Sequence, residues 1–449
     1  MPGRNFDRRT FLKGSTLAAP AFEIIRPELV RGSGKAWLRA GLVGCGARGT
    51  QAAVNLLSAD PNVELVAAGD LFGDRLDFCL RQLKDPKYVQ ANVIRVSRFT
   101  GQPLEELTRS VLGRVRIDPE HCFTGFESYK KVLASDIDIV MLAAPPAYRP
   151  IHLEAAVEAR KHIFAEKPLG TDVVGVKRAM AAIRRAEQMK LTLVAGAQRR
   201  FQKEYVETVA RIRDGELGEI LAAHAIWAGP PVLQFLSENW PGPRGRRDPR
   251  WSDMVFQNRA WYSFVWLSGD QIVEQHIHNI DVCNWALGMH PVRAIASGGV
   301  AWRPREPEYG NIYDHLTAEF IYPNGVRLHS HCRQYPEGCH AEVSELVIGS
   351  RGRSNCRDLG KPGLEAYVQE HVEMLRSIRG EGPYLNNGMA VAESTLTCIM
   401  GREAAYSGLE VTWDMLMSSR QDLLPPRFDL EMKLETPPPA VPGRYKLSS

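Results

Sequence analysis

No CxxC pair and no regular spacing occurs among the eight cysteines of this 449-residue chain, which argues against a disulfide framework. Several of them, Cys79 and Cys398 included, sit in apolar runs where a free thiol behaves as a small hydrophobe. Long apolar runs are missing too: none approaches the roughly 20 residues needed to cross a bilayer. Charge of one sign is scarce. Lys and Arg total 56 against 52 Asp and Glu, a formal net charge of +4, and the one concentrated basic stretch is "PRGRRDPR" before Trp251. Nucleic acid and lipid surfaces are therefore poorly supported partners, and a small molecule is the better one. There is no internal repeat. At 44% hydrophobic residues and more length than one core usually serves, two soluble domains are expected.

The first residues read as an address. "DRRTFLKGSTLAAPAF" places Arg8 and Arg9 before Phe11, Leu12 and Lys13 and then a mildly apolar stretch, which resembles the bacterial twin-arginine export signal. Asp7 stands where Ser or Thr is usual, and Glu23 and Arg26 interrupt the apolar stretch early. The resemblance implies export, with a periplasmic location and the export machinery as a partner; a cytoplasmic location is the alternative. Export of folded proteins by this route would let a cofactor be loaded first.

After residue 34 the chain turns regular. "WLRAGLVGCGARGT" is an apolar strand ending in Gly44, Gly46 and Gly49 of a GxGxxG turn, followed by the helix "TQAAVNLLSAD". Gly44 permits the tight turn, Gly46 lets backbone approach a pyrophosphate, and Gly49 lets helix and strand pack closely. The next strand, "VELVAAGD", ends at Asp70, at the spacing of the acid that binds the adenosine ribose. A carboxylate there repels a 2′-phosphate, so NAD is favoured over NADP, with Arg75 nearby as the counterargument. Residues 85–121 resist assignment apart from a helix-like "PLEELTRSVLG". Helices and apolar strands then alternate through "SYKKVLAS", "IDIVMLAA", "PIHLEAAVEAR" and "KHIFA". This order predicts an α/β fold with a doubly wound parallel sheet, a Rossmann domain over 35–197. Ligands of such sheets bind beyond the carboxyl ends of the strands, where Pro145, Pro146, Glu166 and Lys167 all fall. Arg48 in the glycine turn and His152 in the helix after the prolines are counted with the cofactor-binding residues.

The stretch "AAPPAYRPIHLEAAVEARKHIFAEKPLGTD", together with the glycine turn before it, resembles the glucose-fructose oxidoreductase, inositol dehydrogenase and rhizopine-catabolism family (Gfo/Idh/MocA). The resemblance covers nearly the whole chain after residue 35, and Glu166-Lys167-Pro168 is its most specific motif. It implies an NAD(P)-binding domain and a second α/β domain on an open mixed sheet that often forms subunit contacts, hence a homo-oligomer. It also implies hydride transfer at sugar-like or polyol carbons, without naming the substrate.

The carboxy-terminal half, 198–423, is rich in aromatics at "WSDMVFQNRAWYSFVWLSGD", and "LTAEFIYPNGVRLHSHC" and "HAEVSELVIGS" read as strands of a meander with Asn324-Gly325 as a hairpin turn. Residues 424–449 form a proline-rich tail expected to be irregular. A helix over Val273 to Leu287 would line up Glu274, His278 and Asp281 along one stripe, with His276 pointing elsewhere. In the resembled family an Asp and, four residues on, a His or Tyr stand beside the substrate. Glu274 and His278 match those positions, with Glu for Asp as a departure, and most of the preceding glycines are absent.

Oxidising a carbinol requires a base near the hydroxyl, and His278 suits that role. Lys167 as the ammonium can hold the hydroxyl and stabilise alkoxide charge, and Glu274 can orient the imidazole or bind a second hydroxyl. Arg199, Arg200 and Asp281 are the candidate substrate contacts, one arginine binding and the other structural. A metal would need His276 and His278 to meet His329 and His331; no spacing brings them together, so no metal ligands are assigned. Two alternatives to a simple dehydrogenase stay open. One is a glycosidase or lyase with tightly bound, internally recycled NAD; the other is a noncatalytic sugar- or NAD-binding protein.

Overall fold

In the computed structural model, which describes residues 35–232 and 247–448, the alternating half forms one six-stranded sheet. Its strands are β1 (Leu38–Val43), β2 (Val63–Asp70), β3 (Cys122–Thr124), β4 (Ile139–Leu142), β5 (His162–Ala165) and β6 (Leu193–Ala195), in the order β3-β2-β1-β4-β5-β6. Every pairing is parallel. Apart from the edge strand β3, the strands are buried on both faces, as the continuous apolar runs require. The twin-arginine stretch lies outside the described residues.

The helices of this half are α1 (Ala47–Ala59), α2 (Gly73–Lys84), α3 (Pro86–Thr100), α4 (Leu104–Leu112), α5 (Ser128–Ala134), α6 (Arg149–Glu158) and α7 (Val173–Gln188). The stretch 85–121 that sequence reasoning could not assign is thus mostly helical. Asp85 caps α3 by accepting the Lys87 amide at 3.0 Å, with Pro86 at the first helical position, a standard start signal. Val89, Val93 and Val96 bury one face of α3, and α4 adds Leu107 and Val111 to the same core. Arg114, just beyond, ties this layer down by donating to the carbonyls of Leu57, Asp60 and Val63 at 2.6, 2.8 and 3.1 Å.

The second sheet has seven strands: β7 (Ile220–Gly229), β8 (Arg293–Gly299), β9 (His315–Ile321), β10 (Arg327–Gln334), β11 (Glu342–Gly349), β12 (Gly352–Ser354) and β13 (Val411–Thr412), ordered β12-β11-β7-β10-β9-β8-β13. It is mixed, because β7 and β10 run parallel while the other pairs are antiparallel. The hairpin between β9 and β10 turns at Asn324-Gly325 as expected, with Gly325 at φ +82°. The further helices are α8 (Lys203–Arg213), α9 (Asp253–Arg259), α10 (Val265–Ser268), α11 (Gln271–Glu274), α12 (Ile277–Leu287), α13 (Ala366–Arg379), α14 (Gly388–Ser407) and α15 (Trp413–Ser418). Ala223, Ala225, Leu328 and Cys332 bury one face of the sheet in the core shared with α12 and α14. The opposite face carries His224, His329, Thr317 and Ile295, all partly or fully exposed.

Helix α14 is buried nearly all round because it touches both halves: α7 on one side, α12, β8 and β9 on the other. Helix α13, although late in the chain, packs on α1. The expected helix over Val273 to Leu287 is broken into α11 and α12, for a reason that lies in the site. Among the described residues the tail beyond residue 424 has no helix or strand, yet it is fastened: Met254 donates its amide to the Met432 carbonyl at 3.3 Å.

Candidate active site

Glycine shapes the turn between β1 and α1. Gly44 holds φ +98°, and a Cβ built on it would lie 2.3 Å from the Ala144 nitrogen; one on Gly49 would lie 1.9 Å from the Gly44 carbonyl oxygen. Neither contact is possible, so the turn closes only with glycine at both positions. At Gly46 nothing lies within 4 Å of a Cβ, and α1 begins there with no side-chain cap on its first amides. An open space above free amides is what a pyrophosphate needs. Asp70, at the end of β2, accepts the Cys45 amide at 2.6 Å and the Phe72 amide at 2.9 Å. Burial raises its pKa, opposed by those two amides. The turn and this carboxylate fit a dinucleotide with its adenosine ribose at Asp70.

Arg48 leaves the same turn toward β5. Its Nε pairs with Glu166, and its Nη2 lies 3.3 Å from Glu370, a fully buried carboxyl on α13 whose pKa burial pushes up. Both Arg48 and Glu166 are thereby committed to an ion pair within the protein. Pro145 and Pro146 follow β4 and lead into the one-turn helix Pro146–Tyr148. His152 is buried, stacked on Tyr129 at 4.3 Å. Burial and the Arg149 charge push it down to about 3, so it stands neutral. Arg149 itself, a residue that sequence reasoning passed over, is buried and donates to the Leu142 carbonyl at 2.6 Å.

Lys167 explains the broken helix. Its Nζ donates to the Glu274 carbonyl at 2.5 Å and to Glu274 Oε1 at 2.9 Å. In an unbroken helix that carbonyl would accept the His278 amide. With the carbonyl taken, the His278 amide turns to Gln275 O at 3.4 Å, and α12 starts afresh at Ile277. The side chain expected to orient His278 is bound by Lys167 instead. Just upstream Asp270 holds φ +80°, ψ 163°, a backbone state that ordinarily belongs to glycine. Its buried carboxylate is held by the Gln271 amide at 2.5 Å, the Tyr313 amide at 2.9 Å and the Tyr406 hydroxyl. Burial, opposed by these donors, raises its pKa to about 6.

Lys167, Arg199, His278 and Asp281 line one narrow recess together with Ala197, Ile277 and Val391. His278 stacks on Trp227 at 5.9 Å, another residue the sequence did not single out. Burial, then the charges of Lys167, Arg199, Arg48 and His276, holds its pKa well below the usual histidine range. It is therefore a neutral imidazole facing cations. Both arginines are ion-paired within the protein. Arg200 makes two bonds of 2.8 Å to Asp281, which also accepts Ser394 Oγ at 2.7 Å. Both Arg200 and Asp281 are thus used structurally. Arg199 pairs with Glu345, which also takes Asn279 Nδ2 at 2.7 Å, while still lining the recess.

The histidines do not converge. His276 is fully buried, with Nε2 2.9 Å from Ser330 Oγ. Ser330 alternates along β10 with His329 and His331, which therefore face the other side of the sheet. Among the described residues, the cluster that could hold a metal ion is Asp118, Glu120 and His121, away from this recess.

Residues 38–195 match a family model described as an oxidoreductase family with an NAD-binding Rossmann fold. The uncharacterized oxidoreductase YrbE of Bacillus subtilis is 26% identical over 228 residues, 51% of this chain and 57% of that protein. Inositol 2-dehydrogenase of Mycolicibacterium smegmatis is 30% identical over 170 residues, 37% of this chain and 44% of that protein. The chain thus spans about half the length of the curated relatives it matches. The crystal structure of scyllo-inositol dehydrogenase from Lactobacillus casei with bound NAD(H) and scyllo-inositol superposes with a TM-score of 0.60 at 18% identity, covering 84% of this chain and 99% of that one. That likeness is one of fold, and it extends over both sheets.

Proposed function

Residues 38–195 match the Gfo/Idh/MocA model of NAD-binding oxidoreductases, and from that match we propose that this protein interconverts a carbinol and a carbonyl on a sugar, polyol or sugar acid. The observation that carries the reading is the recess in which Lys167 of the nucleotide-binding half meets Glu274 and His278 of the other half. NAD, when bound, supplies the hydride acceptor. His278, kept neutral by burial and by its cationic neighbours, accepts the hydroxyl proton on the imidazole. Lys167 donates a hydrogen bond to the substrate oxygen and offsets the negative charge that grows there. Glu274 fixes the Lys167 ammonium through two bonds, and Arg199 borders the far side of the recess as a contact for a further hydroxyl or carboxylate. Asp70 disfavours a 2′-phosphate, so NAD rather than NADP is the cofactor.

The test is anaerobic absorbance at the reduced-nicotinamide band with a panel of inositols, aldoses and glycosides. Net reduction of added NAD by a free polyol or sugar supports the dehydrogenase. Glycoside cleavage with no net redox change would replace it with an internally recycled glycosidase or lyase. Export would separate the protein from the cytoplasmic nicotinamide pool, and that is the point in favour of the second reading. Export itself is part of the proposal, resting on Arg8 and Arg9; a variant with both replaced by lysine should stay in the cytoplasm on fractionation. Self-association through the exposed face of the second sheet, where Ile295 is 44% accessible, is also proposed, and a monomeric mass by light scattering would remove it.

The pH profile checks His278 separately. A base whose pKa is depressed stays deprotonated as pH falls through the ordinary histidine range, so kcat/KM for oxidation should hold level through pH 6.5 and fall only in more acidic solution. An acid limb centred at or above pH 6.5 would take the proton-accepting role away from His278.

A further inference from the structure

The carboxyl ends of the parallel strands are crossed by chain that the nucleotide fingerprint does not include. Residues 251–268 come from the carboxy-terminal half, yet they are fastened at the ends of β2, β4 and β5. Beyond β2, Arg259 donates to both Asp74 oxygens at 2.9 Å and lies over the Phe72 ring at 4.2 Å and the Trp251 ring at 4.8 Å. Asp74 is four residues past Asp70, the ribose carboxylate. Beyond β4, the Tyr148 hydroxyl donates to Asn258 Oδ1 at 2.7 Å in a buried contact. Beyond β5, the Thr171 hydroxyl donates to the Trp266 carbonyl at 3.0 Å. The tail reaches the end of β3: Phe428 stacks on Phe126, just past β3, at 5.4 Å and lies 5.4 Å from Tyr148.

Ligands of a doubly wound sheet sit at these strand ends, so a dinucleotide held at Gly46 and Asp70 has residues 251–268 across its way out. We propose that this segment is a clasp that slows release of the dinucleotide, with the Arg259 and Asp74 pair as its fastening. The inference rests on the NAD-binding assignment of residues 38–195 and on no particular substrate. The Asp74 end is where the clasp opens, because the Asp74 side chain is 61% accessible whereas the Tyr148 and Asn258 contact is buried. The clasp also gives the internally recycled reading a physical basis, since a nucleotide that leaves slowly can be oxidised and reduced in place.

Release can be read without turnover. The full-length protein is loaded with NADH, and displacement by excess NAD is followed by nicotinamide fluorescence in a stopped-flow instrument. Arg259→Ala and Asp74→Ala should each release NADH about tenfold faster, from loss of the bidentate pair and, for arginine, of its ring contacts. The exchanged pair Arg259→Asp with Asp74→Arg should slow release again. Asp74 is exposed, so its alanine variant keeps the test alive even if Arg259→Ala fails to fold. Release as fast in the wild type as in both single variants overturns the clasp. A wild type that binds no NADH overturns the cofactor assignment, and the clasp with it.

Discussion

Lys167→Met should lower kcat/KM by about a thousandfold while leaving the affinity for NADH nearly unchanged. The substitution removes the cation bonded to Glu274 at the recess and leaves the glycine turn and Asp70 untouched, so steady-state kinetics and a fluorescence titration of NADH separate the two effects. Part of the loss would be indirect. Without Lys167 the Glu274 carbonyl becomes free to accept the His278 amide, the bond that an uninterrupted helix makes. The helix from Gln271 to Leu287 should then straighten and carry the imidazole away from its stack on Trp227. Lys167→Arg distinguishes the contributions, since it keeps a donor for the carbonyl but replaces a compact ammonium with a planar fork. Activity recovered by arginine would point to helix geometry as the main effect. Activity lost equally in both variants would point to the ammonium itself.

The helix break also shows where sequence reasoning stops. Its cause is a lysine 107 positions away, and no local pattern in "VEQHIHNID" announces it; the apolar stripe of Val273, Ile277 and Ile280 is real and all three are buried. The same limit applies to Arg200 and Asp281, which lie 81 positions apart and bind each other, and to Arg48, whose partner Glu370 is 322 positions distant. What was legible was local or periodic. The glycine turn, the spacing to Asp70, and Pro145, Pro146 and Lys167 at strand ends follow from alternation of strands and helices alone, and those residues stand at the ends of β1, β2, β4 and β5. The helix Pro86–Thr100 was legible in principle from its aspartate cap and its valines at positions 89, 93 and 96, but Tyr88, Ala91 and Ile94 place apolar side chains off that stripe and blur the period.

Arg402→Met should destabilise the fold by about 3–5 kcal/mol, the range for breaking a buried pair by removing one partner, seen as a lowered urea midpoint. Arg402 is wholly buried. Its guanidinium donates to the carbonyls of Thr171 at 2.6 Å and Gly269 at 3.0 Å, to Glu403 at 3.0 and 2.9 Å, and to Gln421 at 2.8 Å. Methionine fills most of that volume but leaves the Glu403 carboxylate with the Tyr445 hydroxyl at 2.9 Å and no cation, and two carbonyls without these donors. Adding Glu403→Gln should therefore recover part of the loss, because the uncompensated charge goes too. The position gives the substitution a second consequence. Thr171 lies four residues past Lys167 and Gly269 lies five before Glu274, so one guanidinium ties together the roots of both members of the Lys167 and Glu274 pair. Folded Arg402→Met protein should thus lose kcat while still binding NADH through Gly46 and Asp70. Full kcat in the folded fraction would mean instead that Lys167 and Glu274 hold each other without help from α14.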